Sequence, residues 1–365
     1  MIPIRLAVVD DSHFFRKAVK TILDSEPQIE VVGLAATGEE LIENLDRWKP
    51  DIITLDLSMP GMGGLKTLEQ ILAHRRIPVI ILSTHSKKDA PLTIEALHRG
   101  AVDFIDKQEH SLLNFEGLRA LLMEKILGVA ARNTESVHQA LAARASAPPD
   151  SPAPAKIPPP PPAAGSCGPA PQPARRVEAL LIGASTGGPP AIQTVLEALG
   201  ERLPVPVAIV QHMPAGFTKA FAQRLDAHLP FVVTEAVHGE SFDPGTVYIA
   251  PAGLHLRLRQ EGNRIVVATT IKPESAPHRP SVDILFDSAA TIYGRRSLAV
   301  LLTGMGRDGA EGLLTLRDAG AHTIAQDEET CVVYGMPKTA VQLGAAREQL
   351  PIERIGPRIA EFLKM

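Results

Sequence analysis

The chain has 365 residues, 45% of them hydrophobic and 21% charged, with a formal net charge of −4 at pH 7. That length accommodates two domains with separate cores, and the balance is that of a globular protein. The acidic excess argues against wholesale binding of nucleic acid, no apolar run approaches the roughly 18 residues of a membrane span, and two cysteines, Cys167 and Cys331, cannot build a disulfide framework or a four-thiolate zinc site and fit a reducing cytoplasm.

The opening residues, MIPIRLAVVDD, reach two aspartates before a signal-peptide apolar stretch develops, so secretion is not expected. Leu6–Val9 reads as a short strand ending in Asp10-Asp11, and Phe14–Leu23 has helical spacing. Val31–Ala35, Ile52–Leu55, Val79–Leu82 and Phe104–Ile105 read as further strands with helical patterns between them. Such alternation predicts a parallel sheet covered on both faces. An Ala- and Leu-rich helix is expected from about Leu112 towards Ala143. Ala145 to Arg176 then holds 12 of the 32 prolines and reads as a linker, because proline removes donors and blocks helix. About 30 such residues span roughly 30 Å if flexible and up to roughly 90 Å if polyproline-like.

After the linker the alternation resumes. Ala179–Ile182, Val207–Val210, Val247–Ile249, Leu298–Leu302 and His322–Ala325 are expected strands; Pro190–Leu199, Phe217–Leu229, Val282–Ile292 and Ala310–Asp318 are expected helices. Val247–Ile249 and Leu254–Val267 are read as hairpin-like additions. The expected fold class is α/β: two doubly wound parallel-sheet domains, at 1–125 and 177–365, joined by a helical extension and Pro/Ala-rich linker at 126–176.

Open parallel sheets gather ligands at the carboxyl ends of their strands. In the first half those ends carry Asp10-Asp11, Asp56, Ser83-Thr84 and, just beyond, Lys107. Three convergent carboxylates need a compensating cation, and Mg2+ fits them. Asp56 then reads as a nucleophile towards a phosphoryl donor, with Ser83 and Lys107 holding the phosphoryl oxygens. Any one of these acids taken singly is as well explained as a helix cap or a surface residue.

In the second half, the first strand runs into Gly183-Ala-Ser185-Thr-Gly-Gly-Pro, placing Ser185 near a helix N-terminus. A phosphate-binding turn or a simple cap is the competing reading, although GxGxxG spacing is absent. His212 ends the next strand and suits a base for a serine hydroxyl, against the commoner role of a structural histidine. Asp308, in the glycine-rich loop after Leu298–Leu302, suits the orienting acid; backbone N–H groups near Met305 suit an oxyanion. A cap or a metal ligand is the alternative for Asp308. These residues by themselves support a serine hydrolase and no narrower class.

Residues 1 to about 125, with TLDLSMPGMGG and the strand-end set, resemble a response-regulator receiver domain. The resemblance implies Asp56 as phosphoacceptor, Asp10, Asp11 and Asp56 with the Ser58 carbonyl at a Mg2+ site, Ser83 as switch hydroxyl, Phe104 as switch aromatic and Lys107 as phosphate partner. Gln108 departs from the proline usual after that lysine. From about 177 onward, GASTGGP, VQHMP, GTVYIAP, RPSVDILF, LTGMGRDGAEG and AQDEETCVVYGMP resemble the catalytic domain of the chemotaxis protein-glutamate methylesterase family. Carried over, Ser185 is nucleophile, His212 general base and Asp308 orienting acid, with Thr186 and the Met305 backbone lining the site and no cofactor for the esterase. The implied partners are a methylated chemoreceptor as substrate and a chemotaxis histidine kinase as phosphoryl donor, with no nucleic acid and no membrane insertion; glutamine deamidation is a further activity of many members. The rival readings are a response regulator with a non-catalytic binding domain and an esterase of another signalling pathway.

Overall fold

A computed structural model of the chain describes residues 2–75, 77–83, 89–107, 116–130 and 176–363. In the first part, β1 (Ile4–Val9), β2 (Ile29–Ala35), β3 (Ile52–Asp56), β4 (Val79–Ser83) and β5 (Asp103–Asp106) pair in parallel in the order β2-β1-β3-β4-β5. Leu6, Ala7, Val8 and Val9 have no exposed surface, as expected of a strand covered on both faces. The covering helices are α1 (His13–Leu23), α2 (Gly38–Trp48), α3 (Gly64–His74), α4 (Asp89–His98) and α5 (116–130). Ser12 and Thr37 start the first two by accepting backbone N–H bonds from Phe15 and Glu40. The strand order reverses between β1 and β3, so Asp10 and Asp56 lie side by side at the switch point.

The second part is a seven-stranded parallel sheet in the order β14-β13-β12-β6-β7-β9-β8. Its strands are β6 (Ala179–Ala184), β7 (Val207–Gln211), β8 (Val232–Glu235), β9 (Thr246–Ile249), β12 (Ser297–Leu301), β13 (His322–Gln326) and β14 (Glu348–Leu350). The helices are α6 (Gly188–Glu197), α7 (Phe217–His228), α8 (Val282–Ile292), α9 (Ala310–Asp318), α10 (Met336–Gln342) and α11 (Ile352–Leu363). The chain enters at β6, builds outward to one edge, then crosses to β12 and builds to the other. The reversal therefore falls between β6 and β12, whose carboxyl ends carry Ser185 and the loop leading to Asp308.

One expectation is corrected: Val247–Ile249 is no hairpin addition but part of β9, parallel to both β7 and β8. The antiparallel hairpin is β10 (His255–Glu261) with β11 (Arg264–Thr270) alone. The continuation of α5 beyond 130 and the Pro-rich segment up to 175 lie outside the described residues, as do Thr84, Gln108 and Cys167. Among the described residues, no helix is long and apolar enough to cross a membrane.

The two sheets share packing. Buried Phe104 on β5 meets buried Phe217 on α7, with ring centroids 4.5 Å apart. Glu95 on α4 is ion-paired with Arg224 on α7, and His98 Nδ1 lies 2.8 Å from Gln193 Oε1 on α6. Val333 joins the core formed by Leu118, Leu122 and Ile126 of α5, and Met305 packs against it. The α4–β5–α5 side of the first sheet is thus seated on the loops at the carboxyl ends of the second.

Candidate functional site

At the first switch point Asp10 is fully buried, Asp56 is 6% exposed, and Asp11 faces solvent. One carboxylate oxygen from each lies within 4.8 Å of the others. Lys107 Nζ bridges Asp10 Oδ2 and Asp56 Oδ2, at 2.6 Å from each. Burial raises the Asp10 carboxyl above its ordinary range, with the Asp56 charge adding to the effect, even though Lys107 opposes both. Three acids against one ammonium leave negative charge over, and that excess suits a divalent cation. Ser58 N–H donates to Asp56 Oδ1 at 3.0 Å, and Ser58 Oγ donates to Asp89 Oδ1 at 3.1 Å. Ser83 Oγ is buried 2.7 Å from Thr93 Oγ1 on α4. The structure therefore brings Asp10, Asp11, Asp56 and Lys107 into one cluster, with Ser83 at the end of β4 and Phe104 turned into the contact with α7.

At the second switch point the backbone holds Ser185. Its N–H donates to Thr303 O at 3.0 Å, and its carbonyl accepts from Gly188 N and from Gln211 Nε2, each at 2.8 Å. Gly304 lies so close that a Cβ there would stand 2.8 Å from Ser185 Cβ. Only glycine lets the loop carrying Met305 lie against the serine. His212 follows β7, next to β6, and its Nε2 is 2.8 Å from Asp308 Oδ2.

Asp308 is held by a ring of donors at the start of α8: Ser281 Oγ at 2.8 Å, Val282 N at 2.7 Å and Asp283 N at 3.2 Å. Burial pushes its carboxyl up, but the His212 bond and charge and these donors outweigh it and hold it well below the usual carboxylate range. It is therefore ionised at working pH and only accepts. In the neutral ring the proton on His212 then sits on Nε2, and Nδ1 carries the lone pair. His278 stacks on the His212 ring, with centroids 4.4 Å apart and planes at 19°.

Ser185, Thr186, His212 and His278 line one cavity of about 530 Å³, lined on its other side by Asp103 and Phe104 of β5 and Lys125 of α5. Thr186 Oγ1 donates to Asp103 Oδ2 at 2.7 Å, and Lys125 Nζ lies 2.6 Å from the same oxygen. Sequence reasoning missed Asp103 and Lys125, passed over His278 in favour of His212, and gave no role to Ser281 and Asp283 within RPSVDILF. A weak local signal existed for Ser281, a cap-type residue directly before the apolar run of α8.

A receiver-type sheet seated on a sheet with an alcohol, an imidazole and a carboxylate at its switch point is the architecture of a phosphorylation-controlled hydrolase. Comparison with known proteins narrows that class. The chain matches the "CheB methylesterase" family over residues 180–359 and the "Response regulator receiver domain" family over residues 6–115. It is 43% identical over 364 residues to protein-glutamate methylesterase/protein-glutamine glutaminase 1 of Oleidesulfovibrio alaskensis, covering 98% of each chain. The like-named protein of Chromohalobacter salexigens is 43% identical over 353 residues, covering 96% of this chain and 94% of the relative. The crystal structure of the Thermotoga maritima CheB methylesterase catalytic domain is 41% identical, with a TM-score of 0.49, covering 51% of this chain and 98% of that one. The chain belongs to the CheB protein-glutamate methylesterase family, with a receiver domain ahead of the catalytic one.

Proposed function

We infer that this chain hydrolyses glutamate methyl esters on chemoreceptors, and that phosphorylation of Asp56 controls the rate. The observation that carries the reading is the 2.8 Å bond from His212 to an ionised, donor-encircled Asp308, in a cavity that Ser185 also lines. His212 Nδ1 takes the Ser185 proton as Oγ attacks the ester carbonyl. The oxyanion forms against the backbone of the loop at Met305. Methanol leaves with the proton from His212, and water, activated by the same base, hydrolyses the acyl-enzyme to glutamate. A glutamine side chain enters the same cycle with ammonia as leaving group, which accords with the second half of the relatives' names. Methanol release from methylated receptor, with a receptor lacking methyl esters as blank, tests the reading; no release from the phosphorylated protein ends it.

The same reading assigns 1–125 to the receiver, 126–176 to the connecting segment and 177–365 to the esterase, in the cytoplasm, with a chemotaxis histidine kinase as phosphoryl donor. Mg2+ at Asp10, Asp11, Asp56 and the Ser58 carbonyl would supply positive charge for the phosphoryl oxygens. Asp56 accepts the phosphoryl group; Lys107 holds one oxygen and Ser83, once released from Thr93, another. Asp56→Asn is expected to abolish phosphoryl labelling and stimulation by a small phosphodonor while the basal rate stays within about twofold of the parent. Lys107 keeps Asp10 as a partner in that variant, so the fold tolerates the change.

Asp103 closes the cavity by holding the hydroxyl of Thr186, the residue after the nucleophile. In the unphosphorylated state this contact and the Phe104–Phe217 packing restrict entry, and phosphorylation shifts the balance towards an open arrangement. Asp103→Ala is expected to raise basal esterase activity by about three- to tenfold, the yield of about 1 kcal/mol lost from the closed arrangement. A basal rate equal to that of the parent would remove Asp103 from control of access.

A further inference from the structure

Asp283 lies in the first turn of α8, behind Asp308 as seen from His212. Its backbone N–H donates to Asp308 Oδ1, beside the bonds from Ser281 and Val282. Its side chain bonds on to the next helix: Oδ1 accepts the N–H of Gly312 at 2.7 Å, while the carboxyl stays beside that of Asp308. Gly312 is in the first turn of α9, and the residue preceding that helix, Gly309, has no side chain to cap it. A carboxylate from one helix thus satisfies a donor at the start of the next, four residues after Asp308 in the chain. The approach is close enough that a Cβ on Gly312 would lie 2.9 Å from Asp283 Cα. Asp308 is therefore gripped twice by one residue: directly, through a backbone bond, and indirectly, through the helix that follows it.

We propose that Asp283 is a positioning residue of the hydrolytic reaction, fixing the place and orientation of Asp308, and so of the His212 ring, without touching the substrate. This rests on the triad reading given above and goes beyond it. The charge environment supports the assignment. Asp283 faces Asp308 from the loop before α9 and Asp287 from its own helix, while Glu311 on α9 and Arg257 on β10 act on Asp287. Burial, with the Asp308 and Asp287 charges adding to it and the Gly312 N–H opposing, pushes the Asp283 carboxyl up to about 7. Across neutral pH, Asp283 thus gains a negative charge behind the Asp308–His212 pair, which favours the imidazolium.

Two substitutions separate these effects. Asp283→Asn keeps an oxygen for the Gly312 N–H and removes the charge; Asp283→Ala removes both. In the full-length phosphorylated protein, Asp283→Ala is expected to lower kcat by about tenfold or more, the scale of a small misplacement of a catalytic group, with KM within about twofold of the parent. Asp283→Asn is expected to keep kcat within about threefold and to move the acid limb of kcat/KM to lower pH by about half a unit, as the loss of one nearby negative charge requires. A purely structural role would lower the melting temperature and leave that limb in place. Ser185→Ala is assayed alongside. An inactive parent, or a Ser185→Ala variant as active as the parent, sinks the triad reading. A Ser185-dependent parent with both Asp283 variants at parental kcat and an unmoved acid limb overturns this proposal alone. Where Asp283→Ala does not fold, the Asn variant decides: parental kcat together with an unmoved limb overturns it.

Discussion

Replacing Ser185 with Ala is expected to lower methyl-ester hydrolysis by roughly 10⁴-fold or more, with the fold and the receiver chemistry intact. The loss is large because the alcohol is the only atom that forms the acyl bond in the proposed cycle, and no neighbouring group replaces it. The fold is spared because the interactions that hold residue 185 run through its backbone: N–H to Thr303, carbonyl to Gly188 and Gln211. Alanine makes all three, so stability is expected to stay within about 0.5 kcal/mol of the parent. Three measurements settle it: methanol release, labelling by a serine-reactive probe, and phosphoryl labelling of Asp56 as an internal control. Residual hydrolysis within tenfold of the parent, with normal phosphorylation, would displace Ser185 from the reaction.

Asp308→Asn is expected to cost about 10⁴-fold in kcat, through the wrong imidazole tautomer rather than through lost contact with substrate. Asp308 accepts from four groups, His212 Nε2, Ser281 Oγ and the N–H groups of Val282 and Asp283. An asparagine has one oxygen for these donors and must turn its NH₂ towards at least one of them. If the NH₂ faces His212, Nε2 becomes the acceptor, the proton moves to Nδ1, and the base is lost. If it faces α8 instead, Ser281 or backbone donors go unsatisfied, at about 1–3 kcal/mol for each. The variant is therefore expected to be slower and also less stable by a few kcal/mol. The pH dependence has a definite sign. The folded carboxyl is held below its unfolded value, so its contribution to stability is complete above the ordinary Asp range and fades as pH falls through the lowered one. The stability gap between parent and variant should accordingly be flat from about pH 5 upward and narrow only in acid. A kcat within tenfold of the parent at every pH would show that His212 does not depend on Asp308 for its tautomer.

Much of the candidate chemistry was legible because it sits at strand ends, which apolar runs mark well. Asp10, Asp11 and Asp56 each follow a run of buried residues, and Lys107 follows β5. His212 was separable from the other histidines because its strand comes next after the one bearing Ser185, and β6 and β7 do pair. Short or atypical elements were not legible. β8 has four residues with Val232 exposed, α10 has seven, and α11 carries Pro357 in its interior. The first two give too little periodicity to rise above a loop, and in the third the proline masks a helical spacing of Ile352, Ile355 and Ile359. The hairpin reading of Val247–Ile249 failed because a run of buried residues does not say which strands will flank it.

The sequence by itself determined the two successive α/β patterns and which residue types stand at the carboxyl ends of the strands. Those are local matters: burial period and the residue that follows an apolar run. Only the tertiary structure decided that His212 bonds Asp308 through Nε2, 96 positions away, and that Asp103 reaches Thr186 across 83. It alone placed Asp283 under Gly312 and His278 on His212. Strand order, helix approach and the seating of one sheet on the other set these pairings. A hydrogen bond is chosen by distance and direction in space, to a few tenths of an ångström, and the linear pattern of side chains carries no such coordinate.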